Sequence, residues 1–121
     1  MMNLISCLAV GFGGALGAMA RYVLSSFIGM HGILIVNIIG CFIVGALVTL
    51  IALKTSMHQT MSLFLFVGVL GGFTTFSAFS IEAMAFIDTH RYMAAAAYIF
   101  ASVGGGLTAF ICGRFLVKTI L

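Results

Sequence analysis

At 121 residues, with 64% of them hydrophobic, 6% charged and a mean hydropathy of +1.34, the chain cannot dissolve as a globular domain and reads as an integral membrane protein. Beside its membrane spans there is no room for a soluble catalytic domain, a nucleotide-binding loop or an extramembrane receptor module, so an enzyme is not expected. The formal net charge of +3 comes from five scattered basic residues that form no patch or stripe, which gives no sign of a nucleic-acid surface.

Four apolar stretches are long enough to span, at 4–25, 32–53, 61–87 and 93–117, and make a single four-helix transmembrane domain over 1–121. The first carries Gly13, Gly17 and Arg21 at steps of four, with Gly14 and Ala18 on the adjacent row. This is a small-residue packing face that ends in a cation. Arg21 lies about one turn from the end of its span, where it either snorkels to the headgroups or lines an anion-attracting vestibule. No basic region precedes this run, which is read as a span and not as a signal peptide.

The second span contains one amide, Asn37, among Ile35, Val36, Ile38 and Ile39. An unpaired amide in lipid costs several kcal/mol, so Asn37 should face a neighbouring helix or a wet cavity. Gly40 and Gly45 permit close helix approach. His31 falls in the loop before this span and His58 in the polar connection after it, neither with a ligand partner at metal spacing. Cys7, Cys41 and Cys112 are odd in number, widely spaced and set in apolar runs; they read as packing residues, with no disulfide or metal site expected.

The third stretch is organised around Gly71-Gly72-Phe73-Thr74-Thr75-Phe76-Ser77-Ala78-Phe79-Ser80. As one straight helix, 61–87 would cover roughly 40 Å against a hydrocarbon core of about 30 Å. Gly71-Gly72 followed by two threonines is a poor helix interior, and a break of the helix is expected there. Unwound backbone survives in a bilayer only where protein or a hydrated cavity satisfies it, so such a break commonly builds an ion or substrate site. The alternative is a glycine packing notch in an unbroken helix. Beyond the break, Phe76 and Phe79 share a face with hydroxyls interleaved, and ring edges plus hydroxyl donors can hold a small anion. Glu82 follows on the same stripe, either ending a polar track or pairing at the membrane face. Asp88, His90 and Arg91 form a solvated loop. In the fourth span Tyr98 and Ser102 lie one turn apart and can continue a polar path.

With both termini on one side, Lys54, Arg114 and Lys118 fall near that face and Arg91 near the other, with Arg21 either beside it or drawn into the membrane: three against two, or three against one. So weak a bias lets single chains insert either way up and permits an antiparallel homodimer. Four spans are also few from which to enclose a polar path without a partner.

Together these pieces resemble the Fluc (CrcB) family of fluoride channels along the whole chain. Three segments carry the likeness: 13–22 (GGALGAMARY), 36–40 (VNIIG) and, most specifically, 71–82 (GGFTTFSAFSIE). The resemblance implies an all-α, dual-topology antiparallel homodimer in the cell's inner membrane, with two pores for passive, electrogenic fluoride export and hence fluoride resistance. It implies a structural sodium ion at the interface, held by the backbone carbonyls of Gly71 and Thr74. Phe76 and Phe79 would line the pore with Asn37, Arg21 would be the vestibule cation, and Ser77, Glu82, Tyr98 and Ser102 would lie on or near a polar track. Membrane lipid and a second copy are the partners implied; no soluble protein partner is indicated. Ala78 departs from the pattern, since threonine is usual between the motif serine and the second phenylalanine. A dual-topology cation exporter of similar size would need a carboxylate buried mid-membrane, and the first, second and fourth spans have none. A noncatalytic packing subunit would leave Asn37, the break and the paired phenylalanines unexplained.

Overall fold

A computed structural model describes residues 3–54 and 56–121. Its four helices long and apolar enough to cross a membrane run from Leu4 to Ile28, Gly32 to Lys54, Gln59 to Asp88 and Tyr92 to Ile120, and the chain is a multi-pass membrane protein. The first begins where the Asn3 side chain accepts a 2.7 Å bond from the Ser6 N–H and relieves one orphan donor of the opening turn. It ends at Gly29, whose φ of +80° is open to glycine and strained for other residues, and whose N–H returns to the Ser25 carbonyl. The second helix starts three residues later, so the first two helices form a tight hairpin.

The third span is interrupted within the expected stretch, at its threonines and not at its glycines. Gly71-Gly72-Phe73 stays helical, and the backbone opens at Thr74 (φ −85°, ψ 154°) and Thr75 (φ −152°, ψ 124°) before helix resumes at Phe76. The glycines serve approach instead: a Cβ on Gly72 would stand 2.5 Å from the Gly14 carbonyl oxygen, so this turn is held helical against the first helix. The threonines open the chain because Thr75 caps the helix that resumes after it, its hydroxyl accepting from the Ala78 N–H at 3.2 Å. Ahead of the break, Leu63–Leu70 is wound as a π-helix, a feature the uniformly apolar sequence there did not announce.

The break divides the span into a first limb, 59–73, and a second limb, Phe76–Asp88, with different neighbours. The first limb packs on the first helix, and the second limb packs on the fourth, which also lies along the second helix. Thr74–Thr75 therefore carries the chain from one helix pair to the other. Both pairs close through bare glycines: Gly13 and Gly17 meet the backbone of Phe64 and Val69, while Gly45 and Gly113 meet that of Phe110 and Phe42. The expected packing face of the first span is thus used within the chain. Of the three cysteines, Cys41 is half-buried, whereas Cys7 and Cys112 are exposed, which corrects their reading as packing residues within this chain.

Candidate functional site

The break is held from the second helix. Asn37 Nδ2 donates to the Thr75 carbonyl at 2.9 Å, and the Thr75 N–H donates to Asn37 Oδ1 at 2.8 Å. One amide thereby replaces the two partners that the backbone of Thr75 loses on leaving the helix. Of the two places considered for this amide, a neighbouring helix or a cavity, it occupies both, because its second Nδ2 hydrogen remains for the groove beside it.

That open groove has a volume of about 470 Å³ and is walled by Asn37, Thr74, Phe76, Phe79 and Ser102 together with Cys41. Five of the residues singled out in the sequence are therefore brought to one place. The rings of Phe76 and Phe79 sit 5.2 Å apart and tilted by 46°. They differ sharply in surroundings: Phe79 is 8% exposed and Phe76 78%, so one ring is anchored in the fold and the other stands free of its own chain. Thr74 turns its hydroxyl to the Leu70 carbonyl at 2.9 Å and is not a free donor. Ser102 Oγ is buried and, among the described residues, finds no hydrogen-bond partner, which leaves its O–H available inside the wall.

Other candidates lie apart from the groove. Ser77 is exposed, with its hydroxyl 3.2 Å from that of Thr75. Tyr98, one turn from Ser102, donates its O–H to Glu82, and its ring stacks 5.7 Å from Phe79 and lies 5.6 Å from Phe86. Among the described residues the carboxylate is therefore partnered by the fourth helix and not by a basic residue. Glu82 also borders a smaller pocket of about 300 Å³ with Phe86, Thr89 and Arg91. Arg91, read as solvated, holds its guanidinium 5.1 Å from the centre of the Phe86 ring. An aromatic ladder Phe76–Phe79–Tyr98–Phe86 thus leads from the groove to the charged end of the span. Phe86 was missed in the sequence, although its position seven residues after Phe79 places it on the same helix face.

Arg21, read either as snorkelling or as a vestibule cation, reaches from the first helix to the third span. It is half-buried, and its Nε donates to the Gly72 carbonyl at 3.1 Å. Gly71 and Thr74, whose carbonyls the resemblance assigns to a cation, have each lost the N–H that a continuous helix would supply. The Thr75 N–H goes to Asn37, and the Ala78 N–H goes to the Thr75 hydroxyl. Two hard oxygens released from the helix suit a hard cation.

Across residues 8–114 the chain matches the family described as CrcB-like protein, Camphor Resistance (CrcB). It is 38% identical over 124 residues to a protein of Rhizobium johnstonii, covering 97% of this chain and 99% of the relative. A protein of Rhizobium meliloti is 40% identical over 121 residues, covering 94% and 97%, and one of Granulibacter bethesdensis is 39% identical over 127 residues, covering 98% of each. All three relatives carry the name "Fluoride-specific ion channel FluC".

Proposed function

Since the chain belongs to the CrcB-like protein family, we propose that it is a fluoride-selective ion channel through which cytoplasmic fluoride leaves the cell passively and with its charge. The observation that carries this reading is the groove in which the Asn37 amide, the tilted Phe76 and Phe79 rings and the Ser102 hydroxyl meet beside an opened helix. Fluoride is small and strongly hydrated, so a selective path has to replace its water with several short donors. The free N–H of Asn37 and the unpartnered O–H of Ser102 are such donors, and phenyl edges add partial positive charge without a countercharge that would trap the ion. Ser77 and the Tyr98–Glu82 pair extend the polar positions towards the end of the span.

The working unit in this reading is an antiparallel homodimer in the plasma membrane with two pores. An open groove and a 78% exposed Phe76 beside it leave the path without a second wall, which a copy of the chain supplies. A structural sodium ion belongs to the same reading. Gly71 and Thr74 would hold it through their carbonyls, and two such oxygens per chain call for the second copy to complete the set. When bound, the ion supplies charge that holds two opened backbones together. Arg21 places a positive charge beside the break, where it concentrates anions.

Fluoride efflux from liposomes containing the purified chain tests the proposal, with potassium ionophore to carry compensating charge and chloride-loaded liposomes as control. Rapid fluoride loss that needs the ionophore, with chloride retained, is expected. Retention of fluoride by liposomes holding a verified dimer supplied with sodium would overturn it.

A further inference from the structure

The nitrogen through which Arg21 engages the Gly72 carbonyl is Nε, the one nearest its stem, and the fork at the end of the side chain stays free of that bond. Gly72 is pressed so closely on the first helix at Gly14 and Ala18 that its carbonyl sits within reach of a side chain one turn further along that helix. Around the opened backbone two carbonyls are therefore taken by side chains from different helices: Gly72 by Arg21, and Thr75 by Asn37. Gly71 and Thr74, whose helical N–H donors have been diverted, lie one on each side of Gly72, with the Phe73 carbonyl between Gly72 and Thr74. Every carbonyl oxygen freed inside a membrane needs a partner, so the choice of which oxygens receive side-chain donors also decides which remain for a cation.

We propose that Arg21 is a positioning residue of the break. Its Nε fixes the Gly72 carbonyl, so that Gly71 and Thr74 present theirs to the ion, while its terminal nitrogens carry the charge that faces the anion path. The sodium part of this claim rests on the function proposed above. The two tasks sit on different atoms, and two substitutions separate them. Arg21→Lys keeps the positive charge but sets a methylene where Nε stood. Arg21→Gln sets an amide nitrogen on Cδ, in the place of Nε, and removes the charge.

The full-length dimer in liposomes is the material for two readouts, the sodium concentration that half-protects it against dissociation and hydrogen–deuterium exchange of the amides at Thr74 and Thr75. Arg21→Lys is expected to raise the half-protecting sodium concentration by roughly tenfold, because the backbone between the two ligand carbonyls loses its anchor at Gly72, and to speed exchange at the break. Arg21→Gln is expected to hold both within about twofold of the parent, while its fluoride flux falls at low ionic strength and recovers in salt. Arg21→Lys matching the parent in both readouts would overturn the proposal. So would equal damage by both substitutions, since charge and not the donor would then hold the break. A parent dimer indifferent to sodium removes the sodium reading alone; exchange at Thr74 and Thr75 then decides the role of Arg21 by itself.

Discussion

Asn37 grips Thr75 with both ends of its amide, so its removal leaves an N–H and a carbonyl without partners in the middle of a membrane protein. Asn37→Ala should destabilise the chain by about 1–3 kcal/mol for each orphaned group and abolish flux, as followed by denaturant titration of the reconstituted dimer and by fluoride efflux. Asn37→Asp is expected to fail as well, because a carboxylate still accepts from the Thr75 N–H but places a second oxygen against the Thr75 carbonyl. Tyr98 offers a gentler test. Tyr98→Phe keeps the ring stacked between Phe79 and Phe86 and deletes only the donation to Glu82. A hydrogen bond to a charged group is worth about 1.5–3 kcal/mol, so stability should fall by no more than this, with slower fluoride efflux from an intact dimer. The single amide in its apolar turn was legible in the sequence, since lipid makes any amide demand a partner. That the partner would be Thr75 was not, because 38 residues separate them in the chain.

At the scale of the helices, close approach through glycine sets the architecture. A Cβ at Gly17 would run into the Val69 carbonyl, whereas at Gly11 it would meet nothing within 4 Å. Gly17→Ala should therefore force the first helix and the first limb apart at a cost of about 1–3 kcal/mol, and Gly11→Ala should change stability by less than about 0.5 kcal/mol. Denaturation of the two variants side by side checks this, and since alanine is the better helix former at both positions, propensity cannot account for a difference. The steps of four at Gly13 and Gly17 announced this interface. The third span was readable only in part: its excess length and its Gly-Gly-Phe-Thr-Thr stretch pointed to a break, and contact with Gly14 then kept the glycines helical and moved the opening onto the threonines.

For the whole molecule, the contrast between Phe76 and Phe79 separates folding from conduction. Phe76→Ile alters a ring that is 78% exposed in its own chain, and Phe79→Ile alters one that is 8% exposed against Tyr98. The first should keep the chain's stability and lose fluoride efflux. The second should lose efflux and also about 1–3 kcal/mol of stability, since its new shape cannot fill the site. Both variants should still dimerise, as read by cross-linking in the membrane; an assembly-only subunit would show no functional loss to measure. The weak asymmetry of basic residues gives a further expectation, that a tag on the C-terminus is found on both sides of the membrane.

By itself the sequence determined the solvent, the number of spans and the segment where the third one opens. Apolar runs of span length and the backbone chemistry of glycine and threonine are local properties, and lipid leaves them few ways to be satisfied. It also supplied the motif that places the chain in its family. Tertiary structure alone decided which atoms answer one another: Asn37 with both sides of Thr75, Arg21 with Gly72, Tyr98 with Glu82, and Ser102 with none among the described residues. These pairings depend on the helices' approach and rotation, which are set where glycine lets one backbone touch another, and periodicity along a single helix does not carry that information.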